Sequence, residues 1–541
     1  MNRTVVTVLL LLAAAAAAVV WLQREREADY VYSLPAGESP HEYLKGIYAA
    51  DQATQPSPYH IRAAVVPHHV VSTEAMAAGV KVLVPNDPQR ILLLSPDHFE
   101  GCPTPLCTTS GTFETLLGNV QGEPLRLNLG TASLVTAAPD LFKKEHGIRA
   151  VLPYIAHYLP GTTVVPIVFS QKHPWESADE EAILKLFAEA LDDETDLVIS
   201  SDFSHYLTIS EAEIKDEDPA HRIFANDLDG LKALDNPAQS DCPRCLWLLA
   251  SLAEAQDFYN PSVLLHTNSA RLLNDTTVPE TTSHFALVFY ANEALGPEDI
   301  ALAGDVTLTR TKQVPVLSGD IQKFWAGEGL RVVNLEGPLS PSCMSAPNPF
   351  IFCNPQDLWS DIRDFATHWG VQNNHMLDKG KAGYAETKAL IEEAGEGAIS
   401  TSPYQDSKYF IVALTRVTNP VPQQAAVNLR EEYERAIEDL RNADPNLLRI
   451  AYIHAGVEYQ TLTSKEEKEF YQSFIDAGAD AVLVSHSHVM GDMFIYKNRP
   501  IFTGLGNFIF DQTDAVPTST AKLVRLRKEG GKVLFETLIS R

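Results

Sequence analysis

Short apolar runs recur along the chain from Arg62 onward, separated by stretches with helical spacing. Strands are expected at Ala63–Val66, Ile91–Ser95, Thr163–Phe169, Leu197–Ser200 and Phe285–Tyr290, and helices at Ile148–Tyr158 and Glu180–Leu191. Such alternation predicts an α/β domain around a central sheet, ending near residue 291. A short acidic link containing Gly and Pro follows (Asn292–Asp299), and the alternation restarts. Strands are expected at Ile300–Ala303, Leu330–Val333, Leu448–Ile453 and Ala481–Val484, and helices at Ala385–Glu393 and Lys465–Ala477. The stretch Met493–Phe510 reads as antiparallel, turning at Lys497–Arg499. The expectation is two α/β domains, 61–292 and 299–541, with no internal repeat.

The beginning of the chain has a different pattern. Thr4–Leu22 is uncharged and mostly Leu, Val and Ala, ending beside Trp21. At ~1.5 Å per residue it just spans a bilayer. Residues 1–28 therefore read as a signal anchor or transmembrane helix, with a cleaved signal peptide as the alternative. Residues 29–60 read as a polar, Pro-containing tether. The anchor implies a single-pass protein of the cell membrane with its domains facing the extracytoplasmic side.

Composition narrows the partners. A net charge of −28 over 541 residues repels nucleic acid, so no nucleic-acid partner is expected. An anionic polymer would need a local cationic patch or a bound metal. The six cysteines fall in three local pairs, Cys102 with Cys107, Cys242 with Cys245 and Cys343 with Cys353. Short-loop disulfides in an oxidising compartment fit this spacing, and a zinc site is the rival reading.

In the second domain, residues of ligand type follow the apolar runs, where open α/β sheets place their sites. Asp305 follows Ile300–Gly304, and Asn334 and Glu336 follow Leu330–Val333. Asn373, Asn374 and His375 form a polar run, with Asp378 just beyond. His454, with Glu458 close behind, follows Leu448–Ile453, and His486 and His488 follow Ala481–Ser485. Carboxylates, an amide oxygen and imidazoles without thiolates suit Mn, Fe or Zn.

The ordered segments G-D-V-T-L-T-R (304–310), N-L-E-G-P (334–338), N-N-H-M-L-D-K-G (373–380), H-A-G-V-E-Y (454–459), A-G-A-D-A-V-L-V-S-H-S-H (477–488) and G-L-G-N-F-I-F-D (504–511) resemble the CapA family. That is the poly-γ-glutamate capsule-synthesis group with the calcineurin-like metallophosphoesterase fold. The resemblance implies an α/β sandwich with two divalent ions. Asp305 and His488 would hold one ion, Glu336 would bridge, and Asn374, His454 and His486 would hold the other. His375 would be the acid at the leaving group, and Arg310 and Glu458 would either support the ligands from behind or face the substrate. Three departures stand out: no histidine two residues after Asp305, Gln372 before the Asn-Asn-His run, and Cys353 where a lysine is expected.

The first domain carries V-V-P-H-H (65–69), L-S-P-D-H-F (94–99), E-H-G-I-R-A-V-L-P-Y (145–154) and S-S-D-F-S-H-Y (200–206). These segments look like the MEMO family, also called AmmeMemoRadiSam system protein B, similar in fold to LigB-type extradiol dioxygenases. The resemblance implies His68, His98 and His205 as ligands to Fe, Cu or Zn, with Asp202, His146 and Cys242 in the same pocket. Cys242 also opens a C-x-x-C, so pairing with Cys245 competes with a free thiol. The expectation is a membrane-anchored hydrolase acting on capsule, poly-γ-glutamate or another envelope polymer. The alternatives are a non-catalytic polymer-binding factor, or metal and redox handling by the first domain.

Overall fold

The computed structural model describes residues 30–34, 39–125, 133–309, 314, 316–343, 351–418, 429–512 and 516–540. The expected anchor and Arg310 lie outside them. Among the described residues no helix is long and apolar enough to cross a membrane. The chain divides into two compact units, the first built mainly from the residues before Ala291 and the second mainly from those after it.

In the first unit the central strands are β1 (Ile61–Val66), β2 (Arg90–Pro96), β3 (Thr163–Phe169), β4 (Thr195–Ser200), β5 (Phe203–Leu207) and β6 (Thr281–Tyr290). They lie in the order β3-β2-β4-β1-β6-β5. The first four are parallel, and β6 and β5 continue the sheet antiparallel. All six residues of β1 and of β4 are buried, as for parallel strands covered on both faces.

Two expectations change here. The helix expected over Ile148–Tyr158 is two pieces, His146–Arg149 and Leu152–Tyr158. Pro153 sits in the first turn of the second piece, where it needs no N–H partner but cannot continue a preceding helix. The expected tether contains a capped helix, Pro40–Ala53, with Ser39 Oγ accepting from the His41 N–H. Its Gly46 lies against Thr73, where a Cβ would stand 2.5 Å from backbone atoms.

The second unit contains β7 (Ile300–Val306), β8 (Arg331–Leu335), β9 (His368–Gly370), β10 (Gly397–Ile399), β11 (Tyr409–Thr415), β12 (Leu448–His454), β13 (Ala481–Ser485), β14 (Met493–Tyr496), β15 (Arg499–Phe502), β16 (Asn507–Ile509), β17 (Ala521–Glu529) and β18 (Lys532–Ser540). One sheet runs β10-β9-β8-β7-β17-β18, with β16 also on β7; the other carries β11-β12-β13-β15-β14. The Tyr452 hydroxyl on β12 donates to the Ala303 carbonyl on β7 at 2.6 Å, so the sheets meet face to face. Gly370 makes room, since a Cβ there would lie 2.9 Å from the Tyr452 ring. Each outer face buries its own core. Trp325, Trp359, Trp369 and Ile391 cover the first sheet, and Leu440, Tyr471 and Phe474 cover the second.

The turn at Lys497–Asn498 joins β14 and β15 antiparallel, both residues having positive φ (48° and 61°). The stretch is not antiparallel throughout, however. Gly506, at φ 71°, redirects the chain, and β16 pairs parallel with β7.

Candidate metal centres

Strand register gathers the residues of the second unit. Asp305 on β7 is level with Asn334 on β8 and with Asn507 on β16. His454 ends β12 level with Ser485, the last residue of β13. His486 and His488, two apart, would face opposite ways in an extended strand. Both instead have positive φ (110° and 59°), which turns them to one side just past the strand end.

The donors converge tightly. Asp305 Oδ1 accepts from Asn334 Nδ2 at 2.7 Å, and its Oδ2 accepts from the His486 N–H at 3.1 Å. His454 Nε2 lies 2.8 Å from Asn374 Oδ1 and 3.6 Å from Glu336 Oε1. His488 Nδ1 lies 3.0 Å from Asn507 Oδ1, 3.7 Å from Asp305 Oδ2 and 4.0 Å from Glu336 Oε2. One ligand atom each from Glu336, His486 and His488 fall within 4.8 Å of one another. The structure thus brings together Asp305, Glu336, Asn374, His454, His486 and His488.

His375 stands beside them, stacked on Phe352 at 3.9 Å, with Nδ1 2.7 Å from Asp378 Oδ2. Glu458 is exposed and acts on Glu336 through its charge. At the position lacking a histidine, the Thr307 hydroxyl bonds with Thr309 Oγ1 and Asn354 Oδ1. Asn354 also donates to the Glu336 and Gly337 carbonyls, bracing the loop that carries Glu336. Sequence reasoning did not single out Asn507 or Asn354 as site residues, although Asn507 lies inside the quoted G-N-F segment.

The electrostatics fit a cation. Glu336 is fully buried, and neither carboxylate oxygen accepts a hydrogen bond. Burial, then the charges of Asp305, Glu458 and Asp378, push its carboxyl well above the usual range. Burial also raises Asp305. Burial and the neighbouring imidazoles push His454 well down and His486 down to about 3, so both rings are neutral with lone pairs to offer. Uncompensated buried carboxylates beside neutral imidazoles are costly alone and favourable around a divalent ion.

The first unit holds a second cluster at the ends of β1, β2 and β4. His68 Nδ1 bonds with Ser200 Oγ at 3.0 Å, and its Nε2 lies 3.1 Å from Asp241 Oδ2 and 3.4 Å from Asp202 Oδ2. His98 Nδ1 lies 2.6 Å from Glu145 Oε1, and its Nε2 lies 3.6 Å from the same Asp241 Oδ2. Burial opposes a charge on His98, but hydrogen bonds to Asp241 and Glu145 outweigh it and hold the ring up to about 10. The His146 ring lies 3.9 Å from that of His98, tilted by 37°, and is pushed down to about 4 by burial and by His98 and His68. The cluster faces a cavity of about 900 Å³ that Phe99, Lys144 and Tyr206 also line.

One expected ligand is replaced here, and the open choice at Cys242 is decided. His146, not His205, offers a ligand atom within 4.8 Å of those of His68 and His98. His205 lines the cavity, but its Nδ1 bonds with the Pro237 carbonyl at 3.0 Å. Cys242 is disulfide-bonded to Cys245 and offers no thiol. The neighbouring Asp241, which sequence reasoning passed over, supplies a carboxylate instead, its Oδ1 held by Ser201 Oγ and the Asp202 N–H. The other cysteines also pair locally, Cys102 with Cys107 and Cys343 with Cys353.

Comparison with known proteins matches both units. Residues 38–242 match the family of Memo-like proteins, and residues 299–512 match the bacterial capsule synthesis protein family PGA_cap. The chain joins a Memo-like domain to a PGA_cap domain.

The PGA_cap domain is 29% identical over 165 residues to the capsule biosynthesis protein CapA of Bacillus anthracis, covering 26% of this chain and 39% of that protein. It is 32% identical over 83 residues to the PGA biosynthesis protein CapA of Bacillus subtilis, covering 15% of this chain and 22% of that one. The Memo-like domain is 30% identical over 182 residues to a MEMO1 family protein of Caldivirga maquilingensis, covering 32% of this chain and 62% of that protein. The chain therefore spans less than two thirds of each of these relatives.

Proposed function

We propose that the PGA_cap domain is a metal-dependent hydrolase that cleaves a phosphoester or related bond in capsule, poly-γ-glutamate or another envelope polymer. The observation that carries this reading is Glu336, fully buried with two unbonded carboxylate oxygens, set among Asp305 and the imidazoles of His454, His486 and His488. Asp305, Glu336, Asn374, His454, His486 and His488 would hold two divalent ions, Mn, Fe or Zn. Such ions supply Lewis acidity and a nucleophilic water near neutral pH. The chain's own part is positional. Asn334 and the His486 N–H fix the Asp305 carboxylate, and Asp378 accepts from His375 Nδ1, so that the doubly protonated ring would present its Nε2–H to a leaving oxygen. The capsule and polyglutamate context comes from the names of the relatives. The apolar run Thr4–Leu22 supports an anchored, extracytoplasmic protein.

The test is metal analysis of purified protein with hydrolysis of a generic phosphodiester, before and after His454→Ala. Bound ions and an activity lost in the variant are expected. Bound ions without hydrolysis would favour a polymer-binding factor, and absence of ions would overturn the reading.

In the Memo-like domain, His68, His98 and Asp241 supply two imidazoles and a carboxylate that could hold Fe, Cu or Zn, with His146 beside them. The buried Asp241 Oδ2, facing both Nε2 atoms, favours this second site.

A further inference from the structure

Beside the histidine cluster of the Memo-like domain lies an arrangement that shares Asp202 with that cluster and is otherwise separate from it. Ser269 Oγ is 2.8 Å from His284 Nε2, and His284 Nδ1 is 2.8 Å from Asp202 Oδ1. His284 and Asp202 are buried, while Ser269 is half-exposed at the outer end of the chain of contacts.

The order of partners sets the chemistry. A carboxylate only accepts, so in the neutral ring Nδ1 carries the proton and donates to Asp202. Nε2 then offers its lone pair to the serine hydroxyl. A buried imidazole needs two partners in any case, but a relay that ends on a half-exposed hydroxyl is the arrangement of an activated serine nucleophile.

Two neighbouring features suit an acyl substrate. The helix Ser269–Leu272 carries Ser269 at its start, and Leu272 and Leu273, three and four residues on, share its face. They are 37% and 59% exposed, an apolar surface beside the hydroxyl. The N–H of the residue after the nucleophile commonly faces the developing oxyanion. Here that N–H, of Ala270, donates to the neutral Thr281 hydroxyl at 3.1 Å, a weaker partner than an oxyanion.

We propose that Ser269, His284 and Asp202 form a second catalytic site, a serine esterase centre for carboxylic esters with an apolar acyl group. Ser269 Oγ attacks the acyl carbon while His284 Nε2 takes its proton. The ester C–O bond breaks, and the alcohol leaves with that proton. Water then attacks the acyl-serine and gives a proton to Nε2; the bond from the acyl carbon to Ser269 Oγ breaks, Nε2 passes that proton to Oγ, and the carboxylic acid is released with Ser269 and His284 restored.

The experiment is to treat the full-length chain with an alkyl fluorophosphonate, in which serine displaces fluoride from phosphorus, and map the adduct by peptide mass spectrometry. One adduct on Ser269 is expected in native protein, and none at that position in Ser269→Ala. In His284→Gln, labelling should slow by about 10²–10⁴-fold, the usual worth of a general base. No Ser269 adduct in the native protein, or equal labelling of His284→Gln, overturns the proposal. Wild-type protein unfolded in urea serves if that variant does not fold: labelling of Ser269 as fast as in native protein would also overturn it.

Discussion

His375 Nδ1 lies 2.7 Å from Asp378 Oδ2, and the imidazole is stacked on Phe352 with ring centroids 3.9 Å apart. One contact sets the tautomer and the other the plane, so the ring is held before substrate arrives. Asp378→Asn keeps the shape but removes the anion beside the imidazolium that a proton-donating Nε2 requires, which disturbs the leaving-group step. Phosphodiester hydrolysis should fall about 10²–10⁴-fold with bound metal unchanged. Steady-state rates with metal analysis of the same sample check this; loss of metal in proportion to rate would show that Asp378 only supports the ligands.

The pH dependence of the metal-free PGA_cap domain follows from two opposed shifts. Glu336 is raised in the folded state by burial and by Asp305, Glu458 and Asp378. Its contribution is therefore full below the unfolded value of ~4.3 and lost as pH rises through the folded value. His486, pushed down to about 3, and His454 work the other way. Folding keeps them neutral, so stability is lost as pH falls below ~6.5, where the unfolded chain takes up protons. Calorimetry of chelated protein should show a melting midpoint that declines on both sides. Added divalent metal should restore the alkaline side, and Glu336→Gln should reduce that decline, leaving the part due to Asp305, while keeping the acid one. A chelated Glu336→Gln profile identical to wild type would contradict the assignment.

In the Memo-like domain, Asp241 Oδ2 faces both His68 Nε2 and His98 Nε2, while the adjacent Cys242 is occupied by Cys245. Asp241→Ala should weaken metal binding by at least about 10-fold, within the range for residues that hold or orient ligands. His205→Ala should leave it intact, since that ring is held by the Pro237 carbonyl. The Cys242→Ser, Cys245→Ser double variant should also keep its metal. Titration of chelated protein with Fe(II) or Cu(II) measures all three, and metal loss in the double variant but not in Asp241→Ala would move the site back to sulfur.

These contrasts mark where the sequence was informative. Asp305, Glu336, His454, His486 and His488 were legible because each follows an apolar run, and parallel strands deliver such positions to one sheet edge. Asp241 follows no strand; it precedes the helix Pro243–Ala255, and only tertiary folding brings it under His68. His146 and His205 both sit in polar segments near the same cavity, and only the backbone between them decides which ring turns inward. The hairpin β17–β18 escaped notice because Lys522, Arg525, Arg527 and Lys528 interrupt its apolar pattern. The first two are nonetheless buried, and the turn at Gly530–Gly531 was the remaining local signal.

The PGA_cap centre depends on one close backbone approach that touches no ligand. A Cβ on Gly304 would stand 2.0 Å from the Gly506 carbonyl oxygen and 3.1 Å from two further backbone carbons. Neither neighbour is a side chain that can rotate away, so Gly304→Ala must push β7 and β16 apart. Those strands carry Asp305 and Asn507, which the register sets level with one another. Overpacking of this kind costs about 1–3 kcal/mol, and a clash with backbone belongs at the upper end. Gly304→Ala should therefore lower denaturant stability by about that amount and lose bound metal, with every ligand residue present. Gly319→Ala is the control, because nothing lies within 4 Å of a Cβ there and alanine favours its helix. If the two variants match in urea midpoint and metal content, the tight β7–β16 contact is not what positions Asp305.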